Sequence, residues 1–161
     1  MSVSAVCPGS FDPIHHGHLD VVERAAAAFD RVVVAVLVNP GKQGMFTVDE
    51  RMDLVRRTTA HLDNVEVASF EGLLVDFCHA HDVDLICKGL RAVKDFEYEL
   101  QMAQMNEHIG DVETVFLSSS PAWSYVSSSL VKEVARLGGR IEGTVPPLVE
   151  EAIRDRLAQS G

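Results

Sequence analysis

A chain of 161 residues, 47% hydrophobic and 24% charged, can bury one core, so a single domain spanning residues 1–161 is expected. Asp plus Glu number 24 against 14 Lys plus Arg, and the resulting net charge of −10 has the wrong sign for attraction to nucleic acid or to an anionic membrane surface. No apolar run is long enough to span a membrane, Met1–Val6 lacks the basic start of a secretory signal, and Cys7, Cys78 and Cys87 are odd in number and widely spaced, so a reducing cytoplasm is the expected location.

Val3 to Cys7 reads as a short buried strand that ends in the turn-rich Pro8-Gly9-Ser10-Phe11-Asp12-Pro13, with Asp12 a turn former ahead of its proline. A helix starts near Gly17, with Leu19, Val22, Ala26 and Phe29 at helical spacing. Val32 to Val38 is an apolar run of the kind found in central parallel strands, and it completes a β-α-β unit. After the loop Asn39-Pro40-Gly41-Lys42-Gln43-Gly44, the Thr47-Val48-Asp49-Glu50 capping pattern opens a helix running to about Leu62. Val65–Phe70, Leu85–Lys88 and Thr114–Leu117 read as strands; Leu73–His81, Asp95–Ile109 and Val126–Leu137 read as helices. Gly138-Gly139 stops the last of these, and Pro146-Pro147 opens a C-terminal helix.

This alternation predicts an α/β fold: a doubly wound, five-stranded parallel sheet of Rossmann-like form, with its ligand site beyond the carboxyl ends of the strands where strand order reverses. Neither G-x-x-x-x-G-K-[ST] nor G-x-G-x-x-G occurs, which argues against a P-loop kinase and a simple dehydrogenase. The first strand instead leads to Ile14-His15-His16-Gly17-His18, with a glycine before a histidine at a helix start. There, free N–H groups point outward, Gly17 allows close approach of a phosphate, and His18 is well placed to touch it. His15 and His16 are adjacent and point different ways, so at most one of them is expected to meet substrate. Cys78, His79 and His81 supply two ligands on a common helical face at best, too few for a zinc site.

The H-x-G-H motif after a first strand resembles the signature of the HxGH nucleotidyltransferase superfamily. Pro8–Pro13, Lys88-Gly89-Leu90-Arg91, Asp95-Phe96-Glu97-Tyr98-Glu99 and Val126–Glu133 resemble the phosphopantetheine adenylyltransferase family over nearly the whole chain. The chain departs from that family's common pattern at His15, where Thr or Asn is frequent, and carries Lys88 where Arg also occurs, giving phosphate recognition there by a point charge. The resemblance implies transfer of AMP from ATP to 4′-phosphopantetheine, with Mg²⁺ held mainly by ATP and water, no dedicated metal site, and a homohexameric assembly to which Leu100–Met105 is expected to contribute.

The same resemblance implies the residue roles. His18 and Lys42 are the catalytic pair, His18 acting on the α-phosphate and Lys42 near the acceptor's phosphate. Ser10 meets both substrates and Phe11 meets ATP; Lys88 and Leu74 meet the acceptor, Leu74 being nearly as good a core leucine. ATP is met by Gly89, Leu90, Arg91 and Glu99, and by the segment Trp123-Ser124-Tyr125-Val126-Ser127-Ser128-Ser129. The alternatives are a small nucleotidyltransferase of the nicotinate mononucleotide or CDP-alcohol type, and a non-catalytic nucleotide-binding module.

Overall fold

The computed structural model describes all 161 residues. Five strands, β1 (Ser4–Gly9), β2 (Arg31–Leu37), β3 (Val65–Phe70), β4 (Leu85–Leu90) and β5 (Glu113–Ser118), pair in parallel in the order β3-β2-β1-β4-β5. Between and after them run α1 (His16–Ala28), α2 (Val48–Thr58), α3 (Leu74–Ala80), α4 (Val93–Gly110), α5 (Ser128–Arg136) and α6 (Pro147–Gln159). This is the expected doubly wound sheet, with strand order reversing between β1 and β4.

Side chains of the three central strands, β2, β1 and β4, alternate between two cores, as the period of a strand requires. Ala5, Cys7, Val32, Val34, Val36 and Cys87 face α1, α2, α5 and α6, where Val22, Val55, Val131 and Ile153 complete the larger core. Val6, Val33, Ala35 and Ile86 face the opposite way and meet Val75, Phe77 and Cys78 of α3. Because β2 is buried on both faces, its five residues Val32–Val36 are all apolar rather than alternating. All three cysteines are buried and free.

The boundaries differ from expectation in instructive places. β1 does not end at Cys7 but continues through Pro8 and Gly9, which pair with Ala35 and Val36 of β2. On its other edge β1 pairs with β4 only at Ala5↔Leu85 and Val6↔Ile86, so proline, which has no N–H to give, sits where the strand has already parted from β4. β4 likewise extends past Lys88: Gly89 and Leu90 lie within the strand, opposite Leu117 and Ser118, and only Arg91 follows it. α5 begins at Ser128, two residues later than expected, because Val126 is drawn into the larger core and Ser127 caps the helix. α4 carries no buried residue except Gly110, against whose Cα the Val75 side chain rests.

Candidate active site

The divergence of β1 and β4 opens a cleft of about 320 Å³, lined from below by Cys7, Pro8, Cys87, Lys88 and Gly89, on one wall by His15, Gly17, His18 and Val21 of the α1 start, and on the other by Arg91, Trp123 and Ser127–Ser129. A cleft of that size at the switch in strand order is where an open α/β sheet takes its ligand.

Two histidines build the wall at the α1 start. His15 is the N-cap of α1; its Nδ1 accepts the His18 backbone N–H at 3.2 Å, and His18 Nδ1 accepts the His15 backbone N–H at 3.2 Å. This is a capping box made of two imidazoles in place of the usual hydroxyl and carboxylate. The rings stack at 3.6 Å between centroids and 21° between planes, and the Phe11 ring meets His18 edge-on at 4.8 Å. Gly17 has a second reason to be glycine beyond phosphate approach: a Cβ there would sit 2.8 Å from the His15 ring. Phe11 itself adopts φ +48°, an uncommon conformation for an aromatic residue, which turns its ring back over Gly9 and beneath His18.

Each Nδ1 accepts a hydrogen bond, so each neutral ring carries its proton on Nε2, the edge away from the helix start. Burial is the main reason that protonation is resisted: it lowers the His15 pKa to about 4, with the Arg91 guanidinium and His16 adding to the effect. Burial, His15 and Arg91 together hold His18 well below the ordinary histidine value. Both rings are therefore neutral near pH 7, and His18 presents a donor to the cleft that has no charge of its own.

His16 points the other way, stacking on Trp123 at 4.8 Å while its backbone N–H bonds Thr144 O at 3.0 Å. It is thus His15, not His16, that lines the cleft. The serine triplet divides its work: Ser127 Oγ caps α5 by accepting the Leu130 N–H at 3.1 Å, and Ser128 Oγ donates to Pro13 O at 2.8 Å. Ser129 is left with an exposed hydroxyl at the helix N-terminus. Arg91 donates to Val126 O and lies 3.9 Å from Asp95, which pins its guanidinium between β4 and the α5 start. Asp95 lies in the first turn of α4.

The cleft gathers nine of the sequence-derived site residues: Phe11, His18, Lys88, Gly89, Arg91, Trp123, Ser127, Ser128 and Ser129. Lys88 and Glu99, expected to serve different substrates, form an ion pair across β4 and α4. Lys42 is on the exposed Asn39–Gly44 loop beyond the cleft rim, and Ser10 is exposed at the end of β1, its carbonyl accepting from Arg51 at 2.7 Å. Leu90, Ser124 and Tyr125 do not line the cleft, Tyr125 being 64% exposed, and Val126 is a core residue. Leu74 packs against the smaller core, on the far side of the sheet.

One residue was misread from sequence. Asp12 is more than a turn former: its carboxylate is buried, accepts from Met45 N at 2.9 Å, Phe46 N at 2.8 Å and Lys132 Nζ at 2.8 Å, and is held below the usual carboxylate range because these donors outweigh the cost of burial. Those partners lie 33, 34 and 120 residues away, beyond the reach of any local pattern.

A family model described as cytidylyltransferase-like matches residues 6–134. A protein from Streptomyces coelicolor named phosphopantetheine adenylyltransferase is 58% identical over 95% of this chain and 96% of its own length. The chain belongs to the phosphopantetheine adenylyltransferase family. A second member, from Thermobifida fusca and of the same name, is 53% identical over 96% of this chain and 94% of its own. Among solved structures, a Vibrio parahaemolyticus protein provisionally described as a nicotinate-nucleotide adenylyltransferase superposes with a TM-score of 0.73 at 19% identity, covering 100% of this chain and 98% of its own. A lipopolysaccharide core biosynthesis protein from Thermoplasma volcanium gives 0.54 at 21%, over 74% of this chain and 98% of its own. At such identities these two speak for the fold alone.

The depressed histidines set a direction for stability. An unfolded histidine titrates near 6.5, whereas folded His15 resists protonation down to about 4. Between those values the unfolded chain holds more protons, so stability falls as pH is lowered through this window and is fully present above it. Urea unfolding at stepped pH should show that decline, and His15→Asn, which keeps a capping acceptor that does not titrate, should make it shallower while the part due to His18 remains; an unchanged slope would contradict the assignment.

Proposed function

We propose that this chain transfers AMP from ATP to 4′-phosphopantetheine, forming dephospho-coenzyme A and pyrophosphate. The observation that carries the reading is the neutral His15–His18 pair in the cleft wall, in a chain whose relatives at 58% and 53% identity bear the matching name. Adenylyl transfer is an in-line displacement at the α-phosphate, in which charge grows on phosphoryl oxygens and no covalent nucleophile is needed. The His18 Nε2–H is a preorganised donor for that charge. Because the imidazole is neutral, it gains most from the transition state rather than from ground-state ATP.

Arg91 and the α5 N-terminus, with the free Ser129 hydroxyl, suit the β- and γ-phosphates. Lys42 and Lys88 suit the acceptor's phosphate, Lys88 exchanging Glu99 for it. Mg²⁺ would enter with ATP and be held by its phosphates and water. No helix is long and apolar enough to cross a membrane, and three free, buried cysteines suit a reducing cytoplasm.

Incubation with ATP, Mg²⁺ and a panel comprising 4′-phosphopantetheine, nicotinate mononucleotide and an alcohol phosphate should give dephospho-coenzyme A from the first alone, with loss of turnover in excess chelator. His18→Ala should lower kcat by about a hundred- to a thousand-fold while leaving ATP affinity nearly unchanged. Near-normal turnover, or a loss confined to ATP binding, would contradict the role given to His18.

The exposed face of α4 bears on assembly. Phe96, Tyr98, Leu100, Met102, Met105 and Ile109 are exposed along it, with Met105 at 56% and Ile109 at 46%, an apolar stretch that a lone subunit would leave in water. We propose a homohexamer that covers this stretch. Light scattering should return the hexamer mass, and Met105→Glu should reduce it; a monomeric mass for the unaltered chain would refute the proposal.

A further inference from the structure

The loop that carries Lys42 is fastened at its two ends and free between them. At its start Val38 N bonds Phe70 O at 2.8 Å, holding the chain to β3, and Asn39 turns it by accepting Gly41 N on Oδ1 at 3.1 Å and Lys42 N on its carbonyl at 3.2 Å. At its end the fastening is Asp12. Both carboxylate oxygens are used, Oδ1 by Phe46 N–H and Oδ2 by Met45 N–H and Lys132 Nζ.

Gly44 is part of the same joint. A Cβ at that position would lie 2.7 Å from Asp12 Oδ2, so the loop comes as close to the carboxylate as it does only because Gly44 has no side chain. Lys132, 17% exposed, belongs to α5, the helix whose N-terminal serines line the cleft. Asp12 follows Phe11, whose ring supports His18. A single carboxylate therefore joins the β1 turn, the loop of Lys42 and α5.

We propose that Asp12 is a positioning residue for the acceptor site: it fixes the end of the Lys42 loop against α5, so that the lysine is presented at a set distance from the cleft instead of sampling the space around it. The inference rests on the proposed reaction, in which Lys42 meets the acceptor's phosphate. Asp12 touches neither substrate, and its whole effect is transmitted through the backbone from residue 46 back to residue 42. Other fastenings nearby hold different parts: Arg51 joins Ser10 O to Leu37 O, and Arg156 donates to Met45 O at 2.7 Å, on the carbonyl side of the peptide plane. None of them occupies the space that Gly44 leaves for the carboxylate.

The test separates positioning from general stability. Asp12→Asn preserves shape but loses the ion pair with Lys132 and weakens the acceptance of two N–H groups; Gly44→Ala drives the loop away from an intact Asp12. Each should raise the KM for 4′-phosphopantetheine about tenfold, as expected for the loss of one charge-assisted hydrogen bond, while the KM for ATP moves less than about twofold. In a Lys42→Met background, the same substitutions should have almost no further effect on the acceptor KM, because the group they position is gone.

Equal rises for both substrates, or an unchanged effect of Asp12→Asn in the Lys42→Met background, would overturn the assignment. If Asp12→Asn does not fold by circular dichroism, Gly44→Ala decides by the same two criteria. Unaltered protein that made no dephospho-coenzyme A would sink the functional reading and this inference with it, whereas an active protein with additive variants would sink the inference alone.

Discussion

The structure depends on the early separation of β1 from β4. Two register pairs hold these strands together, whereas β1 and β2 share six. In a doubly wound sheet the connections on either side of the switch leave in opposite directions, so the cleft between them is a consequence of topology. Here the sequence sharpens that consequence by placing Pro8 where a further ladder bond to β4 would otherwise form. The helix start with its two histidines, the end of β4 with Lys88 and Gly89, and the α5 N-terminus all converge on the space so made.

Inside that space the protein works against its own net charge of −10. The remedy is local. Two imidazoles are kept neutral by burial and by the Arg91 guanidinium, so they donate hydrogen bonds without adding cations that would repel one another. Lys88 and Arg91 are the permanent cations of the cleft, and each is already engaged with a carboxylate, Glu99 and Asp95 respectively. In the proposed reaction phosphates would take the place of these carboxylates, and until then the pairs lessen the cost of holding unpaired charges in the cleft.

The strand and helix order and the H-x-G-H location were legible because they rest on local signals: apolar runs of strand length, a capping pattern, and glycine and proline punctuation. The capping box at His15 and His18 has the spacing of the familiar serine-to-glutamate motif, so it was within reach of a reading that allowed imidazole nitrogens as acceptors. Residues whose work is tertiary were not legible. Asp12 finds its partners on two distant segments, Ser128 reaches Pro13 across 115 residues, and Val126 looks like a helix start until the core claims it. Leu74 is an apolar residue at a helix start from sequence alone, and only the sheet decides which face it joins.

The central claim is that the helix start itself fixes the tautomer of His18, leaving Nε2–H as a neutral donor for the reacting phosphate. Nitrogen-15 NMR of the ring, with His18 assigned by comparison with His18→Gln, tests this most directly. The account predicts a protonated Nε2 and an unprotonated, hydrogen-bonded Nδ1 near pH 7, with no titration of the ring near the free-histidine value of about 6.5. A proton on Nδ1, or a midpoint close to that free value, would contradict it.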